Sequence, residues 1–453
     1  MLEANKPLFK GATDSKLSMC VRLLACKSNW NVPDQCLDFI TKIFLDITPT
    51  KEKLPKNYYH DKRLVSKLGL EVKRIDCCVK GCMLFYDNEY GKNDEGLLLC
   101  KFCHKPRYYS QRLGRTKSKP IPMKTMFYLP IIPRLKRLFA SIQTAYQMTW
   151  HYENRRDSGV LRHPCDGEAW KYFDKIHPDF AAEPRNVRLG LCSDGFNLFI
   201  QTSSKPYSCW PVIVTPYNLP PEMCMSRPYM FLSCLIPGLC NPKTSIDVYL
   251  EPLIDDLKKL WSGVETYDIS RKKNFMMRAA LMWTINDFPA YGMLSGWGTQ
   301  GKLACPYCMD DTKAFRLHYG GKNSWFDSHR RFLPNDHTFR RNKNAFKKGK
   351  VEMGGSPSML TSEQIWHVIK DLPKVIDNPH VGKLSGYGEW HNWTKRSIFW
   401  DLPYWKDNML RHNLDVMHIE KNFFNNIFNT VMDVKGKTKD NDKASNVENQ
   451  IWS

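Results

Sequence analysis

The residues whose types and spacing suit chemistry are four acids, Asp194, Asp287, Asp415 and Glu420, and a second set, Cys305, Cys308, His412 and His418. The alternating run from Val187 meets Asp194-Gly195 at a turn. The apolar run Ala279 to Ile285 reads as a buried strand that ends at Asn286-Asp287, and Pro289 then stops strand pairing. Acids delivered at strand tips can hold two metal ions about 4 Å apart, which activate a water or a 3′-hydroxyl and stabilise the leaving oxygen of a phosphodiester. A third acid is expected from Asp415 or Glu420. Five residues apart on a helix they point in different directions, so one of the two faces the metals. Taken singly, Asp194-Gly195 is an ordinary turn and Asp287 serves equally as a helix cap. The convergence of the set carries the reading.

Cys305-x2-Cys308 follows Asp287 by eighteen residues and offers two thiolates at metal-ligand spacing. His412 and His418 complete a zinc site of two cysteines and two histidines on this reading, although packing or capping is the commoner fate of a histidine. Further upstream, Cys78-x3-Cys82 and Cys100-x2-Cys103 are two knuckles on either side of a hairpin-length insert, with Gly81 at the turn. That spacing suits one tetrahedral Zn²⁺, with Cys77 and His104 as alternative ligands. The site is structural, because four protein ligands leave no open position. The alternative is four buried reduced thiols.

These residues need a scaffold and a partner. The chain has 453 residues, and 42% hydrophobic content with 13% aromatics is enough for real cores. Its net charge of +21 favours a polyanion, nucleic acid ahead of an anionic membrane, because each cation placed on a phosphate releases a condensed counterion. No signal peptide opens the sequence, and no apolar run nears the roughly 18 residues of a membrane helix, so no membrane partner is expected. The sixteen cysteines then read as thiols and metal ligands.

The organisation expected is a helical segment over 1–65, a zinc-ribbon-like module over 66–110, and a basic linker and helix over 111–185. An α/β core begins at 186–309, a basic insertion covers 310–405, a last helix of the core lies within 406–435, and a polar tail fills 436–453. Lys105 to Arg137 holds ten Lys or Arg and no acid, interleaved with Tyr108, Tyr109, Phe127 and Tyr128, which suits phosphate tracking with base stacking. One helix is expected from Pro133 through Tyr152. Eleven Lys or Arg lie between Lys313 and Lys350. Thr361 and Gln364 form a possible capping box.

Four phrases carry a resemblance. They are Leu191-Cys-Ser-Asp-Gly-Phe-Asn-Leu-Phe, Trp283-Thr-Ile-Asn-Asp-Phe-Pro-Ala-Tyr, Leu303-Ala-Cys-Pro-Tyr-Cys and Arg411-His-Asn-Leu-Asp-Val-Met-His-Ile-Glu-Lys-Asn. Together they resemble the transposase of plant En/Spm (CACTA) DNA transposons. The Cys78 and Cys100 knuckles are similar to that family's N-terminal zinc segment. The resemblance runs from roughly residue 15 to 445. It implies an RNase H-like (DDE/D) core interrupted by an insertion before its last catalytic helix. It also implies Mg²⁺ or Mn²⁺, cut-and-paste transposition at terminal inverted repeats, DNA and self-association or another transposon-encoded protein as partners, and the nucleus as compartment. Asp194 and Asp287 fall on the family's first and second acids. Glu420 or Asp415 is the third, and by analogy with V(D)J-type recombinases Glu448 is an alternative. Family members usually continue past this point. A truncated, catalytically inactive transposase-derived DNA-binding protein is therefore the competing expectation.

Overall fold

The computed structural model describes residues 6–48, 54, 56–66, 71–110, 119–154, 159–197, 208–238, 241–316, 323–325, 329–344, 351–358 and 360–434. The chain divides into two compact units, Met1–Lys73 and Arg74–Ser453. The first holds α1 (Lys16–Trp30), α2 (Asp34–Ile47) and α3 (Tyr58–Ser66). α1 starts at a Ser15/Ser18 capping box and buries Leu17, Cys20 and Leu23, which three-residue spacing puts on one face.

The second unit opens with β1 (Lys73–Cys77), β2 (Leu84–Phe85) and β3 (Thr125–Tyr128). Short helices follow: α4 (Ile131–Ala140), α5 (Ile142–Gln147), α6 (Trp150–Glu153), α7 (Glu168–Ile176) and α8 (Pro178–Ala181). The single helix expected from Pro133 to Tyr152 is thus broken twice. Ser141 is extended (φ −106°, ψ 127°) and Thr149 leaves the helical region (φ −105°, ψ 2°). Ser and Thr hydroxyls offer the backbone alternative hydrogen bonds, which weakens a helix at such points. Thr149 donates its hydroxyl to the Tyr146 carbonyl and the Glu153 carboxylate.

β4 (Val187–Ser193), β5 (Phe196–Asn197), β6 (Ser208–Pro216) and β7 (Phe231–Gly238) come next, then α9 (Ile246–Ser262). A hairpin of β8 (Val264–Asp268) and β9 (Lys273–Met277), absent from the sequence expectation, precedes β10 (Ala279–Asn286) and α10 (Phe288–Ser295). The following stretch carries β11 (Phe315–Arg316), β12 (Asn323–Ser324), α11 (Thr338–Arg341) and α12 (Ser362–Ile369). The Thr361/Gln364 capping box forms at the start of α12. β13 (His412–Leu414) and α13 (Val416–Val431) end the described chain.

Among the described residues the main sheet runs β13-β10-β4-β6-β7-β3-β1-β2, with β5 paired to β6. β4, β6 and β7 are antiparallel neighbours, as short connections allow. β10 joins β4 in parallel, and β13 joins β10 in parallel. Parallel pairing needs a crossover. α9 lies in the first crossover, and the stretch from α10 to residue 411 forms the second. α9 buries Ile246, Tyr249, Leu250, Leu253, Ile254, Leu257 and Leu260, and Gly263 closes it at φ 108°.

The cysteine-bearing segment is hydrogen-bonded into this sheet and packed on α9. Lys92 pairs with Glu251 at 2.6 Å, and Tyr86 and Asn88 both donate to Asp255. The inserted stretch is also anchored. Ile398, Phe399, Leu402, Tyr404 and Trp405 join the main core. Lys395 makes a fully buried ion pair with Asp247 of α9 at 2.5 Å. Burial pushes the Asp247 carboxyl up to about 6 against the pull of Lys395. Three of the eleven cations of the basic insertion, Arg330, Arg331 and Arg340, are buried. Arg340 donates to the carbonyls of Arg330, Arg331, Leu333 and Gly354, a use that suits the multiple fixed donors of a guanidinium. No helix among the described residues is long and apolar enough to cross a membrane.

Candidate metal centres

β4, β10 and β13 are adjacent and parallel, so their C-terminal ends lie on one sheet edge. Leu191 is paired with Thr284, and Asn286 with Leu414. Continuing each register past the strand end sets Asp194, Asp287 and Asp415 side by side. The three carboxylates share a pattern. Asp194 Oδ1 accepts the Gly195 N–H at 2.6 Å, Asp287 Oδ1 the Ala290 N–H at 2.9 Å, and Asp415 Oδ1 the His418 N–H at 3.3 Å. Oδ2 of each has no hydrogen bond among the described residues.

The electrostatics follow from this placement. Burial raises the Asp287 carboxyl above the ordinary carboxylate range, and the like charges of Asp194 and Asp415 add to the rise, while the Ala290 N–H and His418 oppose it. Cys192, below the acids on β4, is raised by burial and then by Asp415 and Asp194. Three acids at one edge, each with a free oxygen, are a donor set that suits a hard divalent cation. The carboxylates do not close as tightly as the thiols described below, whose ligand atoms all lie within 4.8 Å of one another.

Two local features hold the acids. Gly195 packs so close to Trp210 that an added Cβ would lie 2.4 Å from its ring, so a side chain there would displace the Asp194 turn. Asn286, which sequence reasoning passed over, binds the three strand ends together. Its Oδ1 accepts the Ser193 N–H of β4 at 2.9 Å, its Nδ2 donates to Thr284 Oγ1 at 3.0 Å, and its carbonyl accepts the Asp415 N–H at 2.8 Å. The residue is 3% exposed. The only signal in the sequence was a polar residue closing an otherwise apolar strand.

Glu420 lies one turn into α13, exposed, and the acid at the strand ends is Asp415. Glu448 falls outside the described residues. The two-cysteine, two-histidine set of Cys305, Cys308, His412 and His418 does not assemble. His412 sits on β13, its Nδ1 paired with Thr284 Oγ1 at 2.9 Å and its ring boxed by Phe399, Trp405 and Tyr291. Burial, with Arg411 and Lys395 nearby, lowers its pKa to about 3, so it is a neutral core histidine. His418 instead stands on α13 near Asp287. The Cys305–Cys308 knuckle keeps its tight turn, with the Cys308 N–H directed at Cys305 Sγ at 3.4 Å.

The upstream knuckles do converge. Cys78, Cys82, Cys100 and Cys103 place their sulfurs within 4.8 Å of one another, with Cys78 and Cys103 3.4 Å apart. Zinc–sulfur bonds of about 2.3 Å in a tetrahedron need sulfurs separated by about 3.8 Å. The set therefore fits one Zn²⁺. Gly81 turns the first knuckle at φ +75° against Tyr249 of α9, where a Cβ would meet the hydroxyl at 2.9 Å. Cys77 is buried outside this set, its thiol on the Ile75 carbonyl.

Residues 158–372 match the family model described as Transposase family tnp2. That span includes Asp194, Asp287, Cys305 and Cys308, and it supports a transposase. A comparison with curated proteins found no match.

Two outcomes follow. Asn286→Ala removes the side-chain tie between β4 and β10 and leaves the Ser193 N–H unpaired, so unfolding in urea is expected at a midpoint lower by about 1–3 kcal/mol of stability. Asn274→Ala, at an exposed position of the β8–β9 hairpin, is the control, expected near wild type. Elemental analysis of the purified chain is expected to find one zinc per chain, lost in Cys100→Ser and kept in Cys305→Ser/Cys308→Ser. Two zincs per chain would restore the second site.

Proposed function

We propose that this chain is a DNA transposase of the cut-and-paste type, with an RNase H-like core and Asp194, Asp287 and Asp415 as its catalytic acids. The observation that carries the reading is the alignment of these three aspartates at the ends of three adjacent parallel strands. The strand order β7-β6-β4-β10-β13, antiparallel in its first three members and parallel in the last three, supports an RNase H-like fold. The match to transposase family tnp2 over 158–372 supports DNA as the substrate, and the nucleus as compartment belongs to the same reading. The phrases around Asp194, Asp287 and Asp415 support the En/Spm (CACTA) branch.

Bound Mg²⁺ or Mn²⁺ would supply an activated water or 3′-hydroxyl and charge stabilisation on the leaving oxygen. The chain's own part is positional. Asp194, Asp287 and Asp415 would hold the cations through the oxygens left over from their backbone hydrogen bonds. Asn286 keeps the three strand ends in register, and the Asp287 and Asp415 caps fix both carboxylates against the helices they start.

The raised pKa of Asp287 has a sign that can be read in stability. The folded chain disfavours the ionised carboxyl, so stability falls as pH rises from the ordinary carboxylate value through the raised one, and the full cost is present at neutral pH. Asp287→Asn keeps an N-cap side chain and removes the charge. It is expected to melt at or above the wild-type temperature at neutral pH. In a Mn²⁺-dependent plasmid-nicking and strand-joining assay, Asp194→Asn, Asp287→Asn and Asp415→Asn are each expected to lose at least about 100-fold in rate. Their DNA binding should stay near wild type, and Glu420→Gln should keep its activity. Activity lost in Glu420→Gln and kept in Asp415→Asn would reverse the assignment of the third acid.

A further inference from the structure

One cavity adjoins the acid-bearing edge of the sheet without containing any of the acids. It has a volume of about 80 Å³ and lies against β13, α10 and the inserted stretch. Five aromatic residues wall it: Tyr291 of α10, Trp297, Tyr307, Trp393 and Trp400. Arg411 is the cation in its wall, and no carboxylate lines it among the described residues. The walls are packed on one another. Trp297 and Trp393 meet edge to face with ring centres 5.1 Å apart, and Trp400 stacks on Trp366 at 5.5 Å. Tyr307 is 53% exposed and forms the lip. It sits inside the Cys305–Cys308 turn. The knuckle that finds no histidines therefore has another use, which is to hold Tyr307 at the mouth of the cavity.

Arg411 lies over Trp400, 5.6 Å from the ring centre. Its Nη1 donates to Ser362 Oγ and to the Asn408 carbonyl, the latter at 2.9 Å. Nε and Nη2 have no hydrogen bond among the described residues and are not sealed from solvent. The guanidinium is thus fixed by one arm and offers the rest. Aromatic walls beside a cation with spare N–H donors match a flat heteroaromatic ring that carries carbonyl oxygens. A nucleobase is such a ring, and stacking on aromatic side chains with help from arginine is how unpaired strands are held. The volume selects among the bases. At about 10–15 Å³ per water-sized group the cavity takes roughly five to eight such groups. That suits one six-membered ring with its substituents, a pyrimidine, and not a bicyclic purine.

Position links the cavity to the acids. Tyr291 follows Asp287 by one helical turn, about 5.4 Å, and its N–H bonds the Asp287 carbonyl at 2.8 Å. Asn413 lines the cavity and precedes Asp415 by two residues, about 6.6 Å of extended chain. The cavity is therefore within one nucleotide's reach of the acids. A base pair is too large for it, so a base must leave the stack to enter.

We propose that this cavity receives one unpaired pyrimidine of the DNA strand whose phosphodiester lies at Asp194, Asp287 and Asp415. The base stacks on Tyr307, the other rings enclose it, and its carbonyl oxygen accepts from Arg411. This role presupposes the nuclease reading of the acids and specifies their substrate: a strand already open, or opened, beside the reacting phosphate. Unstacking costs least where the base has no partner.

The test uses the full chain without divalent metal, so that no strand is cut. Short single strands of thymidine, of deoxyadenosine and of abasic sites are titrated by fluorescence anisotropy. Tyr307→Ala, at an exposed position, is expected to weaken the thymidine strand by at least about 5-fold and to leave the other two unchanged. Tyr307→Phe keeps the ring and is expected to bind all three as wild type does. A strand bearing iodouracil is expected on irradiation to crosslink to the peptide holding Tyr307 or Trp393. Equal loss on all three strands, no loss on the thymidine strand, or crosslinks confined to other peptides overturns the pocket. None of these readouts needs cleavage. A thymidine preference that depends on Tyr307, in a chain whose nicking survives Asp194→Asn and Asp287→Asn, keeps the pocket and removes the nuclease reading. Nicking that depends on the acids, with no effect of Tyr307→Ala on the thymidine strand, removes the pocket alone.

Discussion

The site depends on Asn286, side chain and backbone together, more than on any other single residue. Three strand ends meet at one edge of a sheet, and each carries an acid. Burial at this edge raises the Asp287 carboxyl, and repulsion from Asp194 and Asp415 adds to the rise. Something must hold the edge closed. Asn286 does so: its buried side-chain amide accepts from β4 and donates within β10, and its backbone carbonyl separately receives the first N–H beyond β13. An amide can do this where a carboxylate cannot, because it donates and accepts together and adds no fourth negative charge. Thr284 and His412 extend the tie beneath it.

A second constraint fixes the frame around that edge. α9 is held from two directions by charge. The cysteine-bearing segment reaches it through Lys92–Glu251 and the Asp255 hydrogen bonds, and the inserted stretch reaches it through Lys395–Asp247. The latter pair is fully buried, and removing one partner of such a pair costs about 3–5 kcal/mol because the other charge is stranded. The four-cysteine cluster and the insertion are thus parts of the frame around the sheet, not appendages on linkers. The buried arginines of the insertion make the same point: Arg330 and Arg340 donate to carbonyls inside the fold, and Arg331 pairs with Asp311.

Much of this was legible in the residues. Asp194 and Asp287 stood out because an apolar run that ends in an acid places that acid at a strand tip, and the spacing of Cys78, Cys82, Cys100 and Cys103 already described a tetrahedron. The third acid was less legible. Treating 408–432 as helical hid the three-residue strand 412–414, which is too short for any alternating pattern to show. With that strand in place Asp415 becomes a strand-end acid and a helix cap, and Glu420 moves one turn away. The paired histidines misled for a related reason. His412 bonds Thr284 of the neighbouring strand through Nδ1 and packs its ring among Phe399, Trp405 and Tyr291, away from the cysteine knuckle. Asn286 was invisible because its role exists only once the register of three non-consecutive strands is known.

The central claim is that Asp194, Asp287 and Asp415 form one cation site. The most direct measurement is an anomalous-difference map from crystals of the wild-type chain soaked in Mn²⁺. The account predicts density against the carboxylates of Asp194, Asp287 and Asp415, absent from crystals of Asp415→Asn and unchanged in Glu420→Gln. Density coordinated by Glu420 with Asp415 unengaged, or no Mn²⁺ at this edge of the sheet, would contradict it.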